Sequence, residues 1–114
     1  MNEALARLFD DCAAAPGALG CGVRMPDRTS RVRSFQPDCP NESLEKALLH
    51  LTSATALLAS HDLAGRRIAW TFTGGKMFIT TRPDGALFCL VTQARLDAGE
   101  CFDRLAAQFA VTAL

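Results

Sequence analysis

Cysteine and histidine are the side chains in this sequence best suited to nucleophilic or metal chemistry. The chain holds five cysteines and two histidines in 114 residues. Cysteine–histidine catalysis needs a thiolate beside an imidazole, and no Cys-x-x-Cys pair or Cys/His group has the spacing of a zinc site. His50 and His61 fall on one predicted helix, roughly 16 Å apart, which is too far for both to bind one metal ion. The sequence therefore predicts no catalytic residue, no metal and no cofactor.

The cysteines themselves are odd in number, widely spaced and mostly set among apolar residues. A reduced cysteine in such a setting acts as a small apolar side chain, and disulfides are rare in reducing compartments. The first residues lack the basic and apolar regions of a signal peptide, and no apolar run reaches membrane-spanning length. We expect five free thiols, a cytoplasmic location and no membrane insertion. The cysteines are Cys12, Cys21, Cys39, Cys89 and Cys101.

Gly74-Gly75-Lys76 is the segment closest to a phosphate-binding loop. A P-loop needs a longer glycine-rich run that ends in Lys-Ser/Thr and opens a helix. Here the glycines lie between two predicted strands. The segment therefore predicts a hairpin turn at Gly74-Gly75, where both glycines tolerate a positive φ.

Four arginines cluster in the first predicted hairpin, with only Asp27 nearby to offset them. A solvated strand face is the favoured interpretation, and a docking patch for an acidic partner surface is the alternative. Nucleic acid is a weaker candidate, because interleaved aromatic residues are limited to Phe35 and the chain has 12 basic and 12 acidic residues. The four residues are Arg24, Arg28, Arg31 and Arg33.

Apolar periodicity predicts three helices and five strands that position these residues. The predicted helices span 3–15, 43–61 and 98–113, and the predicted strands span 19–25, 30–36, 67–73, 76–82 and 86–92. Asn2 is expected to cap the first helix, Gly65 to follow the second, and Asp97 with Glu100 to form a capping box at the third. Tight turns make the sheet antiparallel. The order α-β-β-α-β-β-β-α predicts an α+β fold, a five-stranded antiparallel sheet with helices on both faces, in one domain over 1–114.

Three local sequences, in this order, resemble the Roadblock/LC7 family of small dimeric proteins. Pro-Gly-Ala-Leu-Gly at 16–20 leads the first helix into the first strand, 68–79 reads as strand, short turn and strand, and Asp-Gly-Ala-Leu-Phe-Cys-Leu-Val at 84–91 is similar to the family's central strand. The middle helix is long and rich in Leu and Ala. The first hairpin turns at 26–29 without the family's Asp-Gly, which bears on its register. Profilin-like and longin families have related small sheets.

The resemblance implies a non-enzymatic homodimer in which the third strands meet edge to edge and the middle helices pack together. It also implies a protein partner. Prokaryotic members of the family typically bind Ras-like small GTPases, and eukaryotic members serve as adaptor subunits of motors and signalling scaffolds.

The third predicted strand carries the residue-level argument for a dimer. Hairpin connection and the resemblance place 67–73 at the sheet edge, where Ile68, Trp70 and Phe72 share one face and no proline blocks pairing. An apolar edge with free N–H and C=O groups invites another strand. Trp70 itself is favoured as a core residue, with an interface as the alternative. The expected interface comprises Arg67, Ile68, Ala69, Trp70, Thr71, Phe72, Leu49 and Leu57.

The residues and the resemblance together favour a homodimeric adaptor or regulator that binds a partner protein and does not catalyse a reaction, and the resemblance implies a Ras-like small GTPase as that partner. A small ligand-sensing module or an accessory subunit of an enzyme complex is the alternative, and a polar pocket inside the monomer would favour it.

Overall fold

The computed structural model describes residues 2–62 and 67–114. Its elements follow the predicted order and confirm the predicted α+β fold. They are α1 (Glu3–Ala13), β1 (Ala18–Arg24), β2 (Ser30–Ser34), α2 (Asn41–Ser60), β3 (Arg67–Phe72), β4 (Gly75–Thr81), β5 (Leu87–Thr92) and α3 (Gly99–Ala110). Gly65, expected after the second helix, lies outside the described residues.

All five strands form one antiparallel sheet in the order β2-β1-β5-β4-β3. Every residue of β5 is buried, because this strand lies in the middle of the sheet and is covered on both faces. The predicted pairing of the first hairpin with the last strand is confirmed. Strand β3 is consequently outermost at one edge and β2 at the other.

Alternate side chains of β5 enter two separate cores. Phe88 and Leu90 pack with α1 and α3 on one face of the sheet, where the ring of Phe102 stacks on Phe88 at a centroid distance of 5.5 Å. Cys89 and Val91 pack with α2 on the other face. The two-residue periodicity of the strand therefore divides the apolar residues between both layers.

Two glycines in β1 let α2 approach the sheet closely. A Cβ atom at Gly20 would lie 2.8 Å from Leu44 Cδ1, and one at Gly22 would lie 2.7 Å from Leu48 Cδ1. Both leucines are buried. Glycine, which weakens a strand signal in the sequence, is here the residue that makes room for the helix.

The β3–β4 turn differs from the prediction. It consists of Thr73 and Gly74, with Gly74 at a φ of +92°, while Gly75 begins β4. A Cβ at Gly75 would lie 2.6 Å from Phe72 Cζ and 2.9 Å from the Thr92 carbonyl oxygen. Gly75 is required for space and Gly74 for backbone conformation, so the turn sits one residue earlier than predicted.

The helix starts confirm one predicted cap and contradict another. Asn2 accepts the Leu5 N–H at 2.7 Å, as expected. The capping box at α3 is wrong, because Asp97 accepts the Gly99 N–H at 2.9 Å and α3 begins at Gly99. Glu100 is then the second helical residue, one position too early to reach back as a capping box requires.

The two chain ends meet on the face that carries α1 and α3. Asn2 Nδ2 donates to the Ala113 carbonyl at 2.8 Å. Arg82, at the end of β4, donates to the carbonyls of Phe109 and Thr112 at 2.9 and 2.7 Å, which satisfies acceptors at the end of α3. Among the described helices, none combines the length and apolar character needed to cross a membrane.

Candidate protein-interaction surfaces

Strand β3 has one paired side and one open side. The Arg82 N–H donates to the Ala86 carbonyl at 2.9 Å, which sets the alternation of hydrogen-bonded pairs between β4 and β5. In the register of β4 with β3, the even-numbered residues of β3 therefore direct their N–H and C=O groups towards β4. The odd-numbered residues of β3 direct theirs away from the sheet. The outward-facing residues are Arg67, Ala69 and Thr71.

The face of β3 on the α2 side is apolar and only partly covered. Helix α2 lies over β1, β2 and β5, so Ile68 is half-buried beside that core while Trp70 and Phe72 are 38% and 45% exposed. Met77, opposite Trp70 in the register, is half-buried as well. The interpretation of Trp70 as a core residue is wrong, because the helix that would bury it covers other strands.

The outer face of α2 carries further exposed apolar side chains. The buried row of the helix is Leu44, Leu48 and Leu51, whereas Leu49 and Leu57 point away from it and are 54% and 62% exposed. From residue 47 to residue 60 the helix contains no Asp, Glu, Lys or Arg. A solvated helix face normally carries charge, so this half of α2 is suited to contact another surface.

Arg67 begins β3 and is held by α3. Its guanidinium forms an ion pair with the Asp103 carboxylate on the face opposite α2. A cleft of about 210 Å³ beside this pair is floored by Phe78 and Phe102 and edged by Ala69. The ion pair fixes the start of the edge strand against the third helix.

Arg33 is paired with residues of α1 and is not available to a partner. Its Nη1 donates to Asp10 Oδ1 at 2.6 Å, and its guanidinium carbon lies 5.4 Å from the centre of the Phe9 ring. Arg31 shares this face of β2 but is exposed, and its Nη1 donates only to the Ser30 carbonyl, at 3.1 Å. Of these two predicted docking residues, Arg33 is therefore neutralised within the fold, whereas Arg31 is exposed to a partner.

Arg24 and Arg28 lie elsewhere on the hairpin. Arg24 pairs with Ser30 in the register, which places its side chain on the α2 face, opposite to Arg31. Arg28 occupies the turn, with a φ of +74°. The four arginines thus surround the hairpin from both faces and do not share one flat surface.

The cysteines and histidines do not assemble a reactive site in the part of the chain that the structure describes. Within residues 2–62 and 67–114, no three Cys, His, Asp or Glu residues are grouped closely enough to hold a metal ion. His50 and His61 are exposed. The buried thiols of Cys12 and Cys21 face each other, and this contact, with burial, raises the pKa of Cys21. An inert, protonated thiol is the expected result.

Two further clefts, each of about 360 Å³, lie at the surface. One runs between α1 and α3 and is lined by Asp11, Arg104 and Gln108. The other joins Asp38 and Arg95 at the end of the sheet that holds the β3–β4 turn. Their charged lining residues are exposed, so neither cleft is the polar pocket inside the monomer that would favour a ligand-sensing module.

Comparison with known proteins shows the fold and not a close relative. No protein-family model matches the sequence. No curated protein matches it either. Among solved structures, Myxococcus xanthus MglB superposes with a TM-score of 0.72 at 8% identity, covering 96% of this chain and 90% of that one. A Roadblock/LC7 domain from Streptomyces avermitilis gives a TM-score of 0.60 at 16% identity, covering 91% and 87%.

The chain has the Roadblock/LC7 fold. A third structure with this fold, described as MglB with tetrameric arrangement, gives a TM-score of 0.69 at 15% identity and covers 96% of this chain and 90% of that one. The resemblance drawn from local sequences is therefore confirmed at the level of the fold.

Two residues that contact the edge strand β3 were missed in the sequence. Met77 lies beside Trp70, and the short β3–β4 turn would have predicted this pairing once the turn was placed correctly. Asp103 holds Arg67 across 36 positions of sequence. No local pattern signals such a distant ion pair, because it depends on how α3 crosses the sheet.

Proposed function

We propose that this protein is a non-enzymatic, homodimeric adaptor or regulator that works in the cytoplasm by binding a partner protein. The observation that carries the proposal is the open edge of β3. Its outward backbone groups are unpaired within the described sheet, and exposed Trp70 and Phe72 lie beside them. An edge of this kind favours pairing with another strand, and a second copy of the same strand is compatible with a two-fold axis.

The alternation of backbone groups favours one register for that pairing. If Ala69 lies opposite its own copy, the N–H and C=O groups of Arg67 pair with those of Thr71 in the second copy, and all outward groups are satisfied. On the α2 side, Ile68 of one copy then faces Trp70 of the other. This cross-strand pair buries apolar surface that is exposed in the monomer.

Helix α2 provides a second contact in the proposed dimer. Its uncharged half presents Leu49 and Leu57 with Ser53, Ala56 and Ser60 on the outer face. Small residues between leucines allow two helices to pack closely. Together with the strand pairing, we expect a contact above the roughly 1,000 Å² that stable interfaces bury.

A Ras-like small GTPase is the partner class that we favour. The resemblance to the Roadblock/LC7 family implies it, and proteins named MglB share this fold. One of these structures is described as MglB with tetrameric arrangement, and self-association of a protein with this fold supports the proposed dimer. Neither of the two clefts of about 360 Å³ favours the ligand-sensing alternative.

Light scattering after gel filtration tests the dimer. Thr71→Pro removes an N–H that the monomer's own sheet does not use, so it should leave the monomer folded and raise the dissociation constant at least tenfold. Thr71→Val keeps the N–H and is the matched control. A wild-type monomer at tens of micromolar would refute the proposal.

Cross-linking tests the register. In a background with Cys39 and Cys101 changed to serine, Ala69→Cys should form an intermolecular disulfide, because opposed Cα atoms lie about 5.5 Å apart. Thr71→Cys should cross-link far more slowly, since it faces Arg67. Faster cross-linking at Thr71 would place the two-fold axis elsewhere on the strand.

Calorimetry with a Ras-like small GTPase from the same host tests the partner class. We expect binding that differs between the GTP-loaded and GDP-loaded forms. Phosphate release should depend on the GTPase being present. Release by this chain alone would contradict a non-enzymatic role, and equal absence of binding to both forms would contradict the GTPase assignment.

A further inference from the structure

The turn between β1 and β2 places an arginine where a smaller residue is expected. The Arg28 N–H donates to the Met25 carbonyl at 2.9 Å, and the Met25 N–H donates to the Thr29 carbonyl at 2.7 Å. In such a turn the residue with positive φ is commonly glycine or asparagine. Arg28 holds a φ of +74°, although a side chain with a Cβ is disfavoured there.

The cation at this strained position has no counter-charge in the described structure. Arg28 is exposed, and neither it nor Arg24 forms an ion pair or side-chain hydrogen bond with any residue of 2–62 or 67–114. Arg31 donates to the Ser30 carbonyl, and its charge also helps to lower the pKa of Asp27. We call Arg24, Arg28 and Arg31 the arginine tip. Arg33 is excluded, because Asp10 neutralises it.

The single acidic residue of the turn serves the turn itself. Asp27 accepts the Thr29 N–H at 3.0 Å and the Thr29 hydroxyl at 2.6 Å. These hydrogen bonds hold the pKa of Asp27 below its usual value. The carboxylate therefore stays ionised and shapes the loop, and three cations against one acid leave the tip with net positive charge.

We propose that the arginine tip is a docking site for an acidic surface segment of a partner protein. Backbone strain retained at an exposed cationic residue is typical of a functional position, and charge complementarity selects a partner rich in carboxylates. Nucleic acid is less favoured, because the exposed aromatic residues Trp70 and Phe72 lie at the opposite edge of the sheet. The inference rests on the proposed function in assuming a protein partner, and it leaves the β3 edge free for a second copy.

Titration of the full-length, 15N-labelled chain with a short peptide of alternating glutamate and glycine tests the site. We expect amide shifts confined to residues 24–31. Arg28→Gly should weaken peptide binding at least fivefold and raise Tm by roughly 4 °C, since glycine relieves the positive φ. Arg28→Lys should retain most of the binding, and Arg95→Ser, an exposed arginine at the other end of the sheet, should bind as wild type does.

Several outcomes would overturn the inference. These are no shift with the wild type, shifts centred outside the hairpin, or an Arg28→Gly variant that binds normally. Tighter binding of a single-stranded oligonucleotide of equal charge at the same residues would favour nucleic acid and also overturn it. Light scattering on the same samples reports the dimer independently, so a dimer without hairpin shifts contradicts only the docking site.

Discussion

Gly75 is the residue at which the β3–β4 hairpin accepts no side chain. A Cβ there would collide with both the Phe72 ring and the Thr92 carbonyl, and the carbonyl belongs to the central strand and cannot move away. We expect Gly75→Ala to lower the free energy of unfolding by about 3 kcal/mol. Gly74→Ala is the matched control, because nothing lies within 4 Å of its Cβ and only the positive φ opposes it, at a cost of about 1 kcal/mol. Urea denaturation of both variants measures the difference, and equal losses would contradict this account.

The five thiols should differ in reactivity according to burial. Cys12, Cys21 and Cys89 are fully buried, and desolvation raises the pKa of Cys89 to about 12. Cys39 and Cys101 are half-buried. Burial and the neighbouring Asp38 also raise the pKa of Cys39, so iodoacetamide at pH 8 should modify Cys101 and, slowly, Cys39 in the native protein, and the other three only after unfolding. Mass spectrometry should count five modified thiols in denaturant without reductant. A count of three or fewer would contradict the prediction of free cysteines.

Residue chemistry was predictable only where a short segment decides it. The Asn2 cap and the turn character of Gly74 depend on neighbours in sequence, so they could be inferred. The neutralisation of Arg33 by Asp10 spans 23 positions and required the packing of α1 on β2. The sequence therefore indicated an arginine cluster without distinguishing Arg33, which pairs with Asp10, from the three arginines of the arginine tip.

At the scale of elements, Arg82 connects the β4–β5 turn to the end of α3. Its guanidinium donates to two carbonyls of that helix end, lies 5.0 Å from the centre of the Phe109 ring, and donates to the Asp84 carboxylate. One side chain thus ties together a strand end, a turn and a helix end. Its removal takes one donor from each carbonyl; the Phe109 carbonyl keeps the Thr112 N–H at 3.1 Å, whereas the Thr112 carbonyl loses the side-chain donor that caps the helix end.

Acid should weaken this connection. The hydrogen bond from Arg82 and the Ala86 N–H hold the pKa of Asp84 below its usual value. A carboxyl with a lowered folded-state pKa stabilises the fold above its unfolded pKa, near 4, and loses that contribution as pH falls through the folded-state value. We expect Asp84→Asn to flatten the decline of Tm below pH 4. In an Arg82→Met background the same change should have little effect, and an unaltered slope in the single variant would contradict this role.

Element order was predictable because each strand and helix carries its own period. The non-alternating run in β5 indicated a strand covered on both faces, and the structure places it in the middle. Helix starts were harder to predict. Asp97 occurs in a capping-box pattern, yet its side chain binds the N–H one residue before the position that the pattern requires.

For the whole molecule, the uncharged half of α2 should contribute to self-association without contributing to monomer stability. Leu57 is 62% exposed, so Leu57→Glu should leave thermal unfolding of the monomer nearly unchanged while raising the dimer dissociation constant at least tenfold. Val111→Glu, also an exposed apolar residue but located after α3, is the matched control. Thermal unfolding measures monomer stability and sedimentation velocity measures the dimer dissociation constant. Equal dissociation constants for the two variants would remove α2 from the interface.

Because residues 2 and 113 are neighbours in space, the elements can be connected in a different order along the chain while keeping the same positions in the fold. Asn2 and Ala113 are joined by a hydrogen bond, so a short linker can connect them, and new ends can be opened at Gly85, whose φ of +91° lies in a turn with open space around it. A circularly permuted chain that starts at β5 should then rebuild the same sheet. For the same reason residues 2–114 can be inserted into a loop of another protein through a single pair of neighbouring connections, with the β3 edge and the arginine tip still accessible.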